Sequence, residues 1–338
     1  MNIKKDFCLL PFNTFGLKVK ANELAIITSV DELHALYKDG KLKNNNLLIL
    51  SKGSNVLFTQ NIEGLVLLNQ IWGKEVVYED EDTVLLKVNS GEFWPALVDY
   101  TVNMGWGGLE NMTDIPGKIG AAPIQNIGAY GSELKDVMVS LEAFNLNSGI
   151  INEFKSAECK FGYRTSIFKT KHKGKFFITS VLLMLSKKPK LNLSYKPLSD
   201  AFTGIDTDSI SIQDVSRKIS EIRNSKIPDP EELKSAGSFF KNPVINKNKL
   251  NELTSLYPNI PSFTLSENKY KIPAAWLIEK CGWKGKRKGD VGTYRNQALI
   301  IINFGNASGK EIFEFAQSIK KSVITKFGIN LEFEVNVV

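Results

Sequence analysis

The sequence predicts a mixed α and β protein of two or three domains, and three observations carry that expectation. Its 338 residues exceed what one domain of about 150 residues holds. Hydrophobic residues at 43% with charged residues at 23% make a globular composition, which excludes a disordered or fibrous chain. Short apolar, β-prone runs alternate along the chain with stretches of helical period.

Residues 24–28, 47–50 and 65–68 read as strands, and 31–38 as a short helix closed by Gly40, together a small α/β unit. Further strands are expected at 75–78, 83–88, 139–146 and 176–185, with one helix over 94–104. Between them the glycine-rich stretch 105–131 keeps no period, and a stretch of that length inside a compact domain is usually functional. Ile212, Val215, Ile219 and Ile222 keep helical spacing up to Pro228-Asp229-Pro230, a domain boundary signal. Leu250, Leu253 and Leu256 share one helix, and Pro273 opens another through Trp276 and Leu277. The best-marked helix starts at Ser308 with Glu311 in capping-box position, carries Ile312, Phe315, Ile319, Val323 and Phe327 on one face, and stops at Gly328. In the tail, Leu331, Phe333, Val335 and Val337 alternate with Glu332, Glu334 and Asn336 as on a strand. No internal repeat or low-complexity tract interrupts this order.

Several function classes fall away. His34, His172, Cys8, Cys159 and Cys281 leave no zinc finger, no H-E-x-x-H and no Cys-x-x-Cys, so no metal site is expected. Three scattered cysteines point to a reducing compartment. The N-terminal stretch has no apolar run of signal-peptide length before Pro11, and the apolar segment 176–185 is too short to span a bilayer. A cytoplasmic protein that needs no membrane and no obligate protein partner is expected. The net charge, 43 − 36 = +7, suits an anionic small molecule as well as a nucleic acid. The basic cluster Lys284, Lys286, Arg287 and Lys288 has only Trp283 beside it, so it reads as a solvated loop and no nucleic acid is expected.

Four segments carry the residues that chemistry needs. Ser51-Lys52-Gly53-Ser54-Asn55-Val56 follows an apolar strand, where exposed backbone N–H groups cradle phosphate, although an ordinary turn has the same composition. The segment from Ile115 to Gly131 has four glycines, Gln125 and Asn126, but neither a Rossmann nor a P-loop spacing; its low charge favours a buried surface for a pyrophosphate or a heteroaromatic ring over a long surface loop. Tyr163 and Arg164 sit among apolar residues, where a guanidinium needs a partner, either a ligand carboxylate or a structural acid. Ser238 has no nearby histidine to make it a nucleophile, which leaves proton donation, hydrogen bonding or a helix cap.

In this order the segments resemble the UDP-N-acetylenolpyruvoylglucosamine reductases (MurB), flavoenzymes that complete UDP-N-acetylmuramate for bacterial peptidoglycan. The likeness begins at Pro11-Phe12-Asn13-Thr14-Phe15-Gly16 and runs through Gly53 to Phe58, Gly108 to Asn111, Pro123 to Gly131, Phe161 to Phe168, Lys226 to Pro230, Gly237 to Pro243, Gln297-Ala298-Leu299 and Leu331 to Glu334. It implies an α+β fold of the FAD-binding vanillyl-alcohol-oxidase (PCMH) type. The expected divisions are residues 1–70 with the C-terminal strand 329–338 as one FAD-binding subdomain, 71–227 as a second, and 228–328 as a substrate-binding α+β domain.

The resemblance also implies roles. FAD is held noncovalently by Gly53, Ser54, Asn55, Pro123, Gln125, Asn126, Gly128, Ala129 and Tyr130, with Arg223. NADPH is the reductant and leaves before the enolpyruvyl ether enters. Arg164, Ser238 and Glu334 form the catalytic trio: Arg164 by charge and Glu334 as a protonated donor at the substrate carboxylate, Ser238 as proton donor to the ether-bearing carbon. Tyr163, Tyr195, Lys226, Asn242 and Gln297 match substrate-binding positions, Tyr195 as the loop tyrosine of the longer class of these enzymes. Two departures stand out: Ser51-Lys52 leads into Gly53, and Ala121-Ala122 replace hydroxyl residues at the cofactor phosphates, a loss that Lys52 or Lys118 compensates by charge. An oxidase of the same fold is one rival, but neither histidine lies in a flavin-tethering motif. A noncatalytic nucleotide-binding module is the other, and retention of the trio argues against it.

Overall fold

The computed structural model describes residues 3–43 and 46–338; Met1 and Asn2 of the N-terminal stretch lie outside them. The chain divides into two compact units. The first comprises the chain through Cys8, Lys20–Lys52 and Ile62–Asn224; the second comprises Leu9–Val19, Gly53–Asn61 and Ser225–Val338.

Two sheets of four and five strands build the first unit. In the smaller one Ile62–Asn69 runs parallel to Lys20–Ile27 on one side and to Leu47–Leu50 on the other, with Ile3–Cys8 antiparallel at the edge. Central parallel strands are buried on both faces, which is why residues 65–69 are all buried. Helix α1 (Val30–Lys38) starts where the Ser29 side chain accepts the Glu32 N–H, and buries Leu33 and Leu36 in a core shared with Phe144 and Phe177.

The larger sheet is antiparallel, in the order Ile151–Lys155, Met138–Asn145, Phe176–Ser186, Thr83–Asn89, Lys74–Glu79. Its central strand, Phe176–Ser186, is the long apolar segment of the sequence. Helix α2 (Trp94–Asn103) packs Leu97, Val98 and Val102 into the same core, and the Trp94 indole donates to the Met112 carbonyl at 3.0 Å.

The stretch 105–131 is ordered, contrary to its lack of period. Short 3-10 helices form at Glu110–Met112 and Ile119–Ile124. Their support comes from elsewhere: Ile119 N–H donates to the Glu92 carbonyl and Gly120 N–H to that of Ser90, both at 2.9 Å. A Cβ on Gly120 would lie 2.7 Å from Ser90 Cβ and 2.8 Å from Asn69 Nδ2, so only glycine fits there. Helices α3 (Lys196–Ala201) and α4 (Ile212–Lys226) close the unit with a satellite core of Leu198, Ile210, Val215 and Ile219, against which Tyr130 packs. The division between the units falls in the last turn of α4, after Asn224.

In the second unit Ile300–Asn303 lies between Lys234–Ser238 and Val291–Thr293, with Arg287–Lys288 at the edge. Lys269–Lys271 joins Val244–Ile245 and Phe263–Ser266 in a three-stranded sheet. Helices α5 (Lys247–Leu256) and α6 (Ala274–Lys280) follow the sequence reading, except that Leu256 is exposed while Leu253 is buried. Helix α7 (Gly309–Phe327) has the full capping box between Ser308 and Glu311, buries all five expected apolar residues, and ends at Gly328 in the left-handed region. The tail departs from the expected single strand. It bridges Phe240 at Phe333, then changes partner, and only Asn336–Val337 forms a strand, parallel to Val56–Leu57. Leu331 and Val335 are buried but Val337 is exposed, because the alternation does not survive that change.

Candidate functional site

In the first unit the glycine-rich loop is held in a conformation that L-residues avoid. Asp114, Asn126, Tyr130 and Arg164 have φ of 58°, 47°, 48° and 54°. A left-handed non-glycine residue costs about 1–3 kcal/mol and persists where its surroundings over-determine it, typically at a functional site. Those surroundings are visible. The buried Asn126 amide donates to Glu133 Oε2 at 2.9 Å and to the Gly162 carbonyl at 3.3 Å, while its oxygen accepts from Lys135 N–H at 3.1 Å.

The segment 161–169 is laced to this loop residue by residue. Arg164 Nη2 donates to the Gly128 carbonyl at 2.8 Å, Ser166 Oγ to the Ile124 carbonyl at 2.7 Å, and Lys169 Nζ to Gln125 Oε1 at 2.9 Å. The Arg164 guanidinium lies 5.6 Å from the Tyr163 ring. Pro123 is buried inside the 3-10 turn, and Gly128–Ala129 pairs with Ser132–Glu133.

A third group closes on Tyr130. Asn111 Nδ2 donates to the Tyr130 carbonyl at 2.9 Å and to that of Asn192 at 2.8 Å, and Asn192 Nδ2 reaches the Gly131 carbonyl at 3.1 Å. The Tyr130 ring meets the edge of Tyr195 at 5.3 Å. Arg223 donates to the Asp114 carbonyl at 3.0 Å, and its charge acts on the Tyr130 hydroxyl. Burial holds the Arg223 guanidinium below its ordinary pKa, with Tyr130 and Asp114 pulling it back; burial likewise raises the Tyr130 hydroxyl, and Arg223 opposes that rise. Thus Pro123, Gln125, Asn126, Gly128, Ala129, Tyr130, Tyr163, Arg164, Tyr195 and Arg223 come together in one unit.

In the second unit Gly53 sits at φ +71°, where a Cβ would come within 2.0 Å of the Phe12 carbonyl oxygen. Asn55 follows Ser54 and donates from Nδ2 to the Glu334 carbonyl at 3.3 Å, while Asn336 N–H donates to the Asn55 carbonyl at 3.1 Å. Glu334 N–H donates to the Phe239 carbonyl at 2.9 Å, one residue after Ser238, whose own strand partner is Ile300. Ser238 is exposed at the end of its strand, ahead of the buried Phe239 and Phe240. The remaining predicted residues of this unit are less concentrated. Asn242 Oδ1 accepts the Ala274 N–H at 2.9 Å and so caps α6, Gln297 Oε1 accepts from Leu299 N–H at 3.3 Å, and Lys226 is exposed at the end of α4.

Asp114, Glu133 and Asn192, which fix the loop, have no signal in the sequence beyond being polar residues near a motif. Among the described residues, three buried side-chain oxygens have no hydrogen-bond partner: Ser51 Oγ and Asn111 Oδ1 in the first unit, Thr14 Oγ1 in the second. Native proteins leave few such atoms, and each costs about 1–3 kcal/mol. All three lie in, or beside, segments that carry the resemblance. Within the first unit, the two orphaned oxygens of Ser51 and Asn111, the close backbone at Gly120 and the cationic Arg223 are a donor and acceptor set that fits the phosphates of a dinucleotide. Among the described residues no group of three or more His, Cys, Asp or Glu could hold a metal ion, and no helix is long and apolar enough to cross a membrane.

Known proteins match this chain over its whole length. Residues 22–154 match the family model of an FAD binding domain, and 229–338 that of the UDP-N-acetylenolpyruvoylglucosamine reductase C-terminal domain. The reductase of Flavobacterium johnsoniae is 43% identical and that of Amoebophilus asiaticus 40%, each over 100% of both chains. The crystal structure of the Thermus caldophilus reductase superposes with a TM-score of 0.69 at 23% identity, covering 100% of this chain and 99% of that one, and shares its fold. The chain thus carries an FAD binding domain within the α+β fold it shares with that reductase, and it belongs to the UDP-N-acetylenolpyruvoylglucosamine reductase family.

Proposed function

We propose that this chain is an NADPH-dependent, FAD-containing oxidoreductase that reduces UDP-N-acetylglucosamine enolpyruvate to UDP-N-acetylmuramate, a step in making peptidoglycan precursors in the cytoplasm. The observation that carries this reading is the strained loop 114–131 tied to the Arg164 segment, in a chain that aligns end to end with such reductases. FAD is held without a covalent bond by Gly53, Ser54, Asn55, Pro123, Gln125, Asn126, Gly128, Ala129, Tyr130 and Arg223. When bound, it supplies the hydride, taken from NADPH, to the methylene carbon of the enolpyruvyl group.

The remaining chemistry belongs to side chains. Hydride addition moves negative charge onto the substrate carboxylate, and Arg164 and Glu334 stabilise it there. Ser238 Oγ gives its proton to the ether-bearing carbon, which completes addition of one hydride and one proton across the double bond. Its exposure lets solvent restore that proton. Tyr195 and Lys226 hold the sugar-nucleotide phosphates, while Tyr163, Asn242 and Gln297 contribute to substrate binding; the Asn242 cap on α6 fixes the orientation of its amide. On this reading residues 1–70 with 329–338 form one FAD-binding subdomain, 71–227 a second, and 228–328 the substrate domain.

The purified protein should be yellow, should bleach with NADPH under argon, and should release all flavin into the supernatant on acid precipitation. NADPH oxidation measured with and without the UDP-enolpyruvyl sugar tests the reaction: turnover that depends on the sugar is expected. A colourless protein without affinity for flavin, or oxidation indifferent to the sugar, refutes the reading.

A further inference from the structure

Lys118 carries its charge into the first unit with no carboxylate to meet it. It precedes the 3-10 turn Ile119–Ile124 and is only 4% exposed. Its Nζ donates to the Asn69 carbonyl at 2.9 Å and lies 4.4 Å from the centre of the Trp72 ring and 5.2 Å from that of Phe93. It makes no ion pair among the described residues. Glu92, which acts on it through space, accepts the Gly73 N–H at 2.8 Å instead. An ammonium has three donors, and the structure uses one.

A second ammonium converges on the same place. Lys52 Nζ lies 5.4 Å from the centre of the Phe93 ring and repels Lys118. Lys52 makes no ion pair among the described residues either. Phe93 is shared by the two ammonium groups and Trp72 packs beside it, and both rings are exposed, Trp72 at 45% and Phe93 at 36%. Placing two like charges together, one of them buried, opposes stability of the empty protein. It suits a ligand that brings two negative charges of its own.

The sequence positions say which ligand. Lys118 lies in the glycine-rich loop and Lys52 directly precedes Gly53, the two segments whose backbone suits phosphate, and Ala121-Ala122 offer no side-chain donor in that loop. Ser51 Oγ, one residue from Lys52, is buried without a partner. Resting on the FAD reading above, we propose that Lys118 and Lys52 bind the diphosphate of FAD, one ammonium to each negative charge, with Trp72 and Phe93 screening the contact from water.

The test uses the full chain freed of flavin by dialysis against bromide and titrated by fluorescence with FAD and, separately, with riboflavin, which has the ring but no phosphate. Lys118→Met keeps the length and packing of the side chain and should raise the Kd for FAD about 10- to 100-fold while leaving that for riboflavin unchanged. Lys52→Met, at an exposed position that folding does not depend on, should raise it less but in the same selective way. FAD affinity unchanged in both variants, or riboflavin affinity falling as far as that for FAD, overturns the proposal while the cofactor reading stands. An unaltered chain that binds no FAD overturns the cofactor reading and this inference with it.

Discussion

Helix α7 and the loop 114–131 are built on opposite terms. In α7 each local preference agrees with the fold: a serine cap, an acid at the third position, an apolar face of five residues and a terminal glycine. In the loop Asp114, Asn126 and Tyr130 are left-handed, Pro123 sits inside a 3-10 turn, and the hydrogen bonds that hold it come from Ser90, Glu92, Glu133 and Gly162. Agreement across levels marks scaffold. Conflict maintained by outside support is the pattern of strained backbone that clusters at functional sites, and the proposed function puts the cofactor there.

The largest expected effect separates chemistry from stability. Ser238 is exposed, so Ser238→Ala should leave the melting temperature and flavin reduction by NADPH near those of the unaltered chain. Reoxidation by the enolpyruvyl sugar should slow by about 10²- to 10⁴-fold, the usual range for a lost proton donor. Stopped-flow traces of the two flavin transients decide it. Equal slowing of both, or a fast second transient, removes Ser238 from catalysis.

The mirror experiment lies in α7. Ile319 is fully buried, and Ile319→Ala should cost about 2–5 kcal/mol of stability by leaving a cavity, while the folded fraction keeps its affinity for FAD and both transients. Denaturant titration followed by flavin fluorescence measures both quantities. Loss of flavin affinity at denaturant concentrations where the fold persists would erase the contrast between scaffold and site.

These two regions also differ in how much the sequence discloses. Helix α7 was legible from cap to terminal glycine because its determinants lie within one helix and repeat with its period. The central strand Phe176–Ser186 was legible for the same reason. The 3-10 turns of the loop were not, since their partners are carbonyls of Ser90 and Glu92 that no local pattern announces. The tail misled because its alternation is real as far as Val335, yet the backbone changes partner afterwards. Leu256 kept helical spacing but falls on the last turn of α5, where the structure leaves it in solvent. As for the site, physical chemistry alone took Ser238 only as far as a serine without a base. Its role, like those of Arg164 and Glu334, rested on the ordered resemblance, and the polar residues that fix the loop, Asp114, Glu133 and Asn192, were invisible to both.

A smaller effect tests the charge stored in the loop. Burial holds the Lys118 ammonium down to about 8, Glu92 opposing and Lys52 reinforcing the fall. Between that value and the ordinary lysine value of about 10.5 the folded, flavin-free chain binds fewer protons at Lys118 than the unfolded chain, so this group makes stability rise with pH across that window. Flavin binding should run the other way. If the ammonium meets the diphosphate, FAD affinity stays level below about pH 8 and weakens above it, at most about tenfold per unit, and Lys118→Met abolishes that dependence. Opposite slopes for stability and affinity are the expected signature. Parallel slopes would mean that Lys118 serves only the fold.

The smallest expected effect is at the cap of α7. Ser308 Oγ accepts the Glu311 N–H at 3.2 Å and donates to Glu311 Oε2 at 2.8 Å, while Glu311 Oε2 also accepts the Ser308 N–H at 2.7 Å. Ser308→Ala removes the hydroxyl bonds and keeps the backbone one. The backbone N–H of Ser308 is the larger cause of the lowered Glu311 pKa and the hydroxyl the smaller, so the carboxyl should move only part of the way back up. A lost serine cap costs about 0.5–2 kcal/mol. The low end is expected here, because the first turn is exposed and the seven buried residues of the helix stay in place. Thermal unfolding should register a drop of about 2 °C or less. FAD affinity should not change, since no predicted cofactor residue lies in α7. A measurable loss of flavin affinity in Ser308→Ala would break the comparison at its stronger side, by making the first turn of α7 part of what holds the cofactor.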